Sequence, residues 1–203
     1  MPLNIVVFYG SVRTARVGIR AARFVVDQCR ARGHQVELID PLEYRFPLLD
    51  RMYKEYAPGE APDVLQRVAG LVVAADAYIV VSGEYNHTVP PALSNMLDHF
   101  LEEYFRKPSA IVSYSAGSFG GVRAAMTLRA MLAEMGMSSI PSLFPVPRVQ
   151  NAFDEQGKPG DEASIARFAK FLTELEWYAY AMKAARERPC QRSQCDSVAA
   201  AAG

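Results

Sequence analysis

The chain has 203 residues, of which half are apolar and 22% are charged. Its 22 Lys and Arg residues balance its 22 Asp and Glu residues, and a chain without net positive charge is a poor candidate for binding nucleic acid by neutralising phosphates. This length predicts one domain with a substantial core, and no segment approaches the roughly 18 apolar residues expected of a membrane span.

Apolar, β-branched runs alternate along the chain with segments of helical periodicity. The predicted strands cover residues 4–8, 35–40, 77–82 and 109–115, with a weaker fifth strand within 137–146. The predicted helices cover residues 15–32, 63–75, 91–105, 121–135 and 161–186. Strands that are apolar throughout and separated by helices predict a parallel sheet covered on both faces, in a three-layer α/β sandwich.

Two segments fall outside this alternation. Residues 43–62 carry four aromatic residues and three prolines, and they are expected either to cover a ligand or a second subunit, or to form a surface loop pinned by its aromatic side chains. Residues 187–203 lack apolar periodicity, so we expect a folded domain over 1–186 followed by a disordered tail. Sparse cysteines and a start without a basic signal region predict a cytoplasmic protein.

Ligands of such sheets bind beyond the carboxyl ends of the strands, where the strand order reverses. The first loop there reads YGSVRTARVG, residues 9–18, and it joins a strand to a helix N-terminus, where free N–H groups favour phosphate. Gly10 permits a tight turn, Ser11 offers a hydroxyl, and Arg13 and Arg16 offer charge-assisted hydrogen bonds. A dinucleotide fingerprint and a Walker A loop are both excluded by spacing. The alternative is a serine helix cap with solvated arginines.

The second loop, residues 82–100, is expected to present an extended, mostly polar strip from Gly83 to Thr88. Such a strip offers backbone donors and acceptors to the edge of a flat heterocycle, while Tyr85 and His87 supply rings. The alternative is an ordinary surface connection.

The third loop, residues 114–125, is rich in glycines, which let backbone N–H groups approach a ligand closely but also serve plain tight turns. Three loops at one sheet edge would form a pocket with a phosphate end and a flat-ring end. A mononucleotide fits that shape better than a dinucleotide does.

The same three loops carry a family resemblance. GSVR after the first strand, EYN with PPALSNMLDHF after the third, and YSAGSFGG after the fourth resemble the NAD(P)H-dependent FMN reductases and quinone reductases. The resemblance spans residues 3 to 185 in the right order. It implies a flavodoxin-like fold whose five-stranded parallel sheet has the order 2-1-3-4-5.

The resemblance also implies which residues bind FMN. The implied contacts are Ser11, Val12, Arg13 and Arg16 at the phosphate, Gly83, Glu84, Tyr85 and Asn86 along the pyrimidine and N5 edge, and Ser115, Gly117, Ser118 and Gly120 at the other polar edge. Ala116, within the third loop, and His87, which stands where many relatives have a small residue, complete the candidate set.

The chemistry implied by the resemblance belongs to the cofactor. Hydride passes from NADPH or NADH to FMN, and the reduced flavin passes electrons to free flavin, quinones or similar small-molecule acceptors. No catalytic side chain is required, and the histidines have no metal-ligand spacing, so no metal is expected. The alternative is a flavodoxin-like electron carrier or redox sensor without nicotinamide turnover, although the neutral charge and the arginine-containing loop argue against a carrier.

A homodimer or homotetramer is also expected. The segment 91–105 and the loop 43–62 carry more aromatic residues than one sheet face needs, among them Phe46, Phe100 and Phe105. A neighbouring subunit could use this apolar surface and close the flavin site.

Overall fold

Strands and helices alternate along residues 1–188, the part of the chain that the computed structural model describes. The strands are β1 (Asn4–Tyr9), β2 (Gln35–Ile39), β3 (Ala77–Gly83), β4 (Pro108–Tyr114) and β5 (Ser138–Val146). The helices are α1 (Ile19–Ala31), α2 (Asp63–Ala74), α3 (Pro91–Asp98), α4 (Val122–Glu134), α5 (Val149–Ala152) and α6 (Glu162–Glu187). All neighbouring strands are parallel, and their order is β2-β1-β3-β4-β5. The predicted fold class is confirmed.

The core lies on both faces of the sheet. Alternate strand residues point to opposite faces, so Val7 and Tyr9 pack with α1 and α6, while Val6 and Phe8 pack with α2, α3 and α4. Every residue of β3 and of β4 is buried. A strand covered on both faces gains nothing from alternating polarity, which explains the continuous apolar runs.

Two predicted helices are too long. Residues 10–18 are not helical, and α1 begins only at Ile19. The helix predicted over 91–105 ends at Asp98, and a short 3₁₀ turn follows at Glu102–Tyr104. The apolar spacing beyond Asp98 was misleading because the irregular chain there still buries Phe100 and Tyr104 against Phe8 and its neighbours.

The aromatic loop over 43–62 packs on the chain's own core. Phe46 lies 5.7 Å from the ring of His99, and Tyr53 lies 5.9 Å from Phe100, measured between ring centroids. The Pro47 carbonyl accepts hydrogen bonds from Asn95 and His99 at 2.8 and 3.1 Å. The interpretation as a surface loop pinned by aromatic side chains is therefore correct. The chain itself covers much of the surface of these aromatics, so they offer a second subunit less apolar area than the sequence alone indicates.

The amino edge of the sheet is tied together by charged and polar groups. Asp76, which is 5% exposed, accepts hydrogen bonds from the Asn4 amide at 3.0 Å and from Lys183 of α6 at 3.0 Å. The Tyr180 hydroxyl, also on α6, donates to the Met1 carbonyl at 2.6 Å. The carboxyl-terminal half of α6 is thus anchored beside the start of β1.

Lys107 also lies at the amino edge, just before β4. Its ammonium donates to the carbonyls of Val72, Val73 and Glu103 at 2.7 to 3.1 Å, two of which belong to the last turn of α2. The side chain is 7% exposed, and burial lowers its pKa to about 8.

The predicted tail, except for Glu187 and Arg188, lies outside the described residues, and so do Cys190 and Cys195. Within residues 1–188, no helix combines the length and the apolar content that a bilayer crossing requires.

Candidate functional site

A cavity of about 320 Å³ opens at the carboxyl edge of the sheet, beyond the ends of β1, β3 and β4. This is the edge where the strand order reverses, because the chain crosses from β1 to β2 on one side and to β3 on the other. The lining residues are Ser11, Arg13, Ala15, Arg16, Val17, Gly18, Gly83, Glu84, Tyr85, Tyr114, Ser115, Ala116, Val149 and Gln150. The structure therefore brings parts of all three predicted loops together.

Ser11 lies where the first loop leaves the sheet. It is 3% exposed, its hydroxyl accepts from the Arg13 amide at 3.4 Å, and it shares a hydrogen bond with the Tyr85 hydroxyl at 3.2 Å. A Cβ at Gly10 would lie 2.8 Å from the Leu93 Cβ, so the loop can only pass α3 at a glycine. The first two loops are thus joined directly by side chains.

The two arginines of the first loop differ in their partners. Arg16 forms an ion pair with the buried Asp40, and it also donates to the Ser11 carbonyl at 3.4 Å. Arg13 makes no ion pair within the described part of the chain, and its guanidinium carbon lies 6.0 Å from the Tyr85 ring centroid. Val12 is 49% exposed and does not line the cavity.

Two stacked tyrosines lie beneath the cavity. The rings of Tyr9 and Tyr114 are 6.4 Å apart, and burial raises the pKa of both hydroxyls, so both are neutral at physiological pH. The Tyr9 hydroxyl is buried without a hydrogen-bond partner in the structure, although the hydroxyls of Tyr114 and Ser11 lie close by. Tyr114 fills the space between Gly18 and Gly83, where a Cβ on Gly18 would lie 2.1 Å from its ring.

The second loop is a tight turn rather than an extended strip, so that prediction is wrong. The Tyr85 amide donates to the Thr88 carbonyl at 3.1 Å, and the Thr88 amide donates back at 3.0 Å. Asn86 and His87 form the turn with φ of 50° and 66°. A left-handed pair closes such a two-residue turn, and asparagine and histidine tolerate this conformation better than most residues.

The turn has a direct consequence for the candidate residues. Asn86 borders a shallow neighbouring cavity together with Arg13, Glu84 and Tyr85, whereas His87 is exposed and lines neither cavity. The inward backbone groups of Tyr85 and Thr88 bond to each other, so they are not free for a ligand.

Glu84 has a partner that sequence reasoning missed. Its carboxylate accepts from the amides of Arg123 and Ala124 at 3.1 and 3.4 Å, in the first turn of α4, and from the Arg123 guanidinium at 3.3 Å. A carboxylate at a helix N-terminus accepts hydrogen bonds from free N–H groups, and its negative charge interacts favourably with the helix dipole. Glu84 therefore links the second loop to the helix that follows the third.

The third loop reaches the cavity with its first three residues, Tyr114, Ser115 and Ala116. Ser115 and Ala116 line it, whereas Gly117, Ser118 and Gly120 do not. Gly120 has φ of 64°, a conformation that favours glycine, and a Cβ there would lie 3.0 Å from Pro145. The distal glycines thus shape the turn rather than the cavity wall.

A fourth wall comes from a segment that the sequence did not indicate. Val149 and Gln150, in the short helix α5 after β5, line the cavity, and the Gln150 side chain donates to the Ala116 carbonyl at 3.3 Å. The segment is held in place because the Arg148 amide donates to the Gly117 carbonyl at 2.9 Å. Four residues with no motif carry no signal that could have been read in advance.

Comparison with known proteins shows to which family the chain belongs. Residues 3–151 match the family model described as NADPH-dependent FMN reductase. The chain belongs to this family. The match includes all three predicted loops and both residues of the fourth wall.

Three proteins with similar sequences are named as reductases. The chain is 34% identical over 133 residues to an NAD(P)H-dependent FMN reductase of Pseudomonas aeruginosa, covering 62% of this chain and 71% of the relative. It is 30% identical over 135 residues to a quinone reductase of Pseudomonas putida, covering 60% and 72%. An NADPH azoreductase of a Bacillus species is 27% identical over 140 residues, covering 68% and 74%.

Solved structures support the fold. The flavoenzyme NAD(P)H:acceptor oxidoreductase FerB of Paracoccus denitrificans superposes with a TM-score of 0.71 at 19% identity, covering 87% of this chain and 97% of that one. A flavodoxin variant of Pseudomonas aeruginosa superposes with a TM-score of 0.52 at 16% identity, covering 83% and 98%. Both share the flavodoxin-like architecture with this family member.

The donor set of the cavity fits the cofactor named in the family's description. The first loop supplies a hydroxyl and two guanidinium groups, and the buried Tyr9 hydroxyl lies close to that of Ser11; these groups suit a phosphate ester. Tyr114, Val17 and Val149 also line the cavity and supply the apolar and aromatic surface that suits a flat ring. The residues present therefore fit FMN.

Proposed function

We propose that the protein is an NAD(P)H-dependent oxidoreductase that holds FMN in the cavity at the carboxyl edge and reduces free flavins, quinones or similar small acceptors. The observation that carries this proposal is the composition of the cavity wall, in which Ser11, Arg13 and Arg16 supply donors for a phosphate and Val17, Tyr114 and Val149 supply apolar and aromatic surface. The part of the chain that matches the NADPH-dependent FMN reductase model, residues 3–151, includes all the residues that line the cavity.

The phosphate end is assigned to the first loop. Ser11 and Arg13 bind the phosphate through side chain and backbone, Val12 contributes its backbone only, and Arg16 adds a guanidinium. Because Val12 is half exposed, its side chain is free to vary. Two arginines suit a phosphate dianion, since each forms charge-assisted hydrogen bonds.

The ring end is assigned to the second and third loops. Gly83, Glu84 and Tyr85 line one side of the cavity and Ser115 and Ala116 the other. Asn86 lies next to this set. The role assigned to the remaining candidates is indirect, because they form the two turns that position the lining residues. These candidates are His87, Gly117, Ser118 and Gly120.

When bound, FMN supplies hydride and electron transfer between nicotinamide and acceptor. The chain's own residues position the ring, and the apolar walls of Tyr114, Val17 and Val149 exclude water from it. In the third loop the Ser115 amide donates to the Val146 carbonyl, so we assign the stabilisation of negative charge at the polar edge of the ring, without proton transfer, to the Ala116 N–H. We expect ping-pong kinetics, because donor and acceptor would use the same exposed ring face.

The test is the visible spectrum of the purified protein, followed by titration with FMN and anaerobic mixing with NADPH or NADH. Yellow colour or FMN uptake, with rapid bleaching on mixing, supports the proposal. A protein that takes up no FMN contradicts it. Binding without bleaching would favour the alternative of an electron carrier or redox sensor.

We further propose that residues 1–186 form a flavodoxin-like, FMN-binding domain, and that the protein works in the cytoplasm as a homodimer or homotetramer. Phe119 and Met126, 62% and 51% exposed, lie in and after the third loop and offer an apolar contact close to the cavity. Cys29 is buried and forms no disulfide within residues 1–188, which suits a reducing compartment. Light scattering at the working concentration tests the assembly, and a fully active monomer would contradict it.

A further inference from the structure

Asp40 is a buried carboxylate at the cavity's phosphate end. It directly follows β2 and is 2% exposed. One carboxylate oxygen accepts from the Arg16 guanidinium and from the Leu42 amide, the latter at 3.0 Å. Burying a carboxylate is costly unless it is paired and hydrogen-bonded, so this position requires its arginine partner.

Arg16 is held on several sides. Its Nη1 bonds to Asp40 and to the Ser11 carbonyl, and its guanidinium carbon lies 5.5 Å from the Tyr9 ring centroid. The side chain is only 18% exposed, yet it lines the cavity. Among residues 1–188, no protein atom accepts a hydrogen bond from its Nε or Nη2. The described part of the protein therefore binds only one of the three guanidinium nitrogens.

We propose that Asp40 is a positioning residue, which fixes the guanidinium of Arg16 so that its remaining N–H groups meet the phosphate of the bound mononucleotide. The proposal rests on the function proposed above. It assigns to Arg16 a directional role rather than a purely electrostatic one, because the neighbouring carboxylate offsets most of its charge.

Two effects of Asp40 oppose each other, and the geometry decides between them. The negative charge of Asp40 repels a phosphate. Its hydrogen bond to Arg16, however, restricts the conformations of the arginine side chain before the ligand binds. Ordering one such side chain on binding costs about two- to tenfold in affinity. The repulsion is weak while the carboxylate is paired with Arg16, so the positioning effect is larger.

The test compares FMN with riboflavin, which lacks the phosphate. Quenching of flavin fluorescence gives the dissociation constant of each, and the ratio of riboflavin to FMN isolates the phosphate interaction. Arg16→Ala should lower this ratio about ten- to a hundredfold, as expected for hydrogen bonds to a charged group. Asp40→Ala should lower it about two- to tenfold.

The decisive comparison is the effect of Asp40→Ala in two backgrounds. With Arg16 present the ratio should fall. In the Arg16→Ala protein the same substitution should raise the ratio, because only the repulsion between carboxylate and phosphate is left to remove. Glu43→Ala is the matched control, since Glu43 is an exposed carboxylate of the same segment and makes no hydrogen bond to Arg16 within residues 1–188. That control should leave the ratio unchanged or raise it slightly.

Asp40→Asn covers the case in which Asp40→Ala does not fold. Its amide oxygen can still accept from Leu42 and Arg16, so we expect a folded protein with a smaller fall in the ratio. A ratio that rises or stays constant in Asp40→Asn or Asp40→Ala overturns the positioning role. A protein that binds neither flavin overturns the proposed function itself, and equal affinity for both flavins in the unmodified protein overturns the phosphate end.

Discussion

Gly18 and Tyr114 provide the sharpest test of the cavity floor. A Cβ placed on Gly18 would lie 2.1 Å from Cζ, 2.4 Å from Cε2 and 2.5 Å from the hydroxyl oxygen of Tyr114. Carbon atoms in contact are separated by about 3.5 Å, so Gly18→Ala requires a ring displacement of about 1.4 Å. The ring cannot move freely, because it stacks on Tyr9 and lies against Gly83.

The expected result of Gly18→Ala is a loss of both stability and cofactor binding. Overpacking of a buried site costs about 1–3 kcal/mol of unfolding free energy. For a chain of this length, that loss lowers the melting temperature by about 2–12 °C. Because Tyr114 lines the cavity, its displacement should also weaken FMN binding. Thermal unfolding and flavin fluorescence measure the two effects separately.

A control and a second background make the test decisive. Gly70→Ala adds the same methyl group within α2, where nothing lies within 4 Å, and it should stabilise the protein by about 0.5–1 kcal/mol. Tyr114→Leu removes the three atoms that Gly18→Ala would strike. In that background Gly18→Ala should cost almost nothing. An equal loss of melting temperature in both backgrounds would refute the steric argument.

Three further predictions concern other contacts. Glu84→Gln should lower the unfolding free energy by about 1–2 kcal/mol, because the N-terminus of α4 loses a charged acceptor; exposed Glu102→Gln is the control. The lowered pKa of Lys107 means that the unfolded chain binds more protons between pH 8 and 10, so stability should rise there with pH. The unfolding free energy of the unmodified protein minus that of Lys107→Met, measured by urea titration, should rise by about 2 kcal/mol from pH 8.5 to 10. A difference that stays constant over this range would contradict the lowered pKa of Lys107. His87→Gly should leave the turn intact and stabilise it by about 0.5–1 kcal/mol in thermal unfolding, whereas His87→Val should destabilise it by about 1–2 kcal/mol; similar values for both would exclude a left-handed residue.

The sheet could be predicted because its strands are buried on both faces. Continuous apolar runs between helical segments leave few alternatives, and the predicted strand limits differ from the observed ones by at most one residue. The end of α3 could not be predicted, because burial of Phe100 and Tyr104 by tertiary contacts preserves helical spacing without a helix. Periodicity reports burial, and helix geometry is only one way to produce it.

The position of the candidate site could be predicted better than its contacts. Parallel strands bring their carboxyl ends to one edge, so the meeting of the three loops follows from the fold. The roles of Asp40 and Glu84 depend on partners 24 and 39 positions away, Arg16 and Arg123, which spacing alone cannot pair. The turn at Asn86 and His87 was missed because neither residue is the glycine that usually marks it.

The anchoring of α6 at the amino edge has a practical consequence. The Tyr180 hydroxyl holds the Met1 carbonyl on the side of the sheet away from the flavin cavity. A polypeptide or surface linker joined ahead of Met1 would therefore leave the molecule at the amino edge of the sheet, opposite the cavity. An enzyme immobilised through that point on an electrode or a resin would keep its substrate entrance facing the liquid.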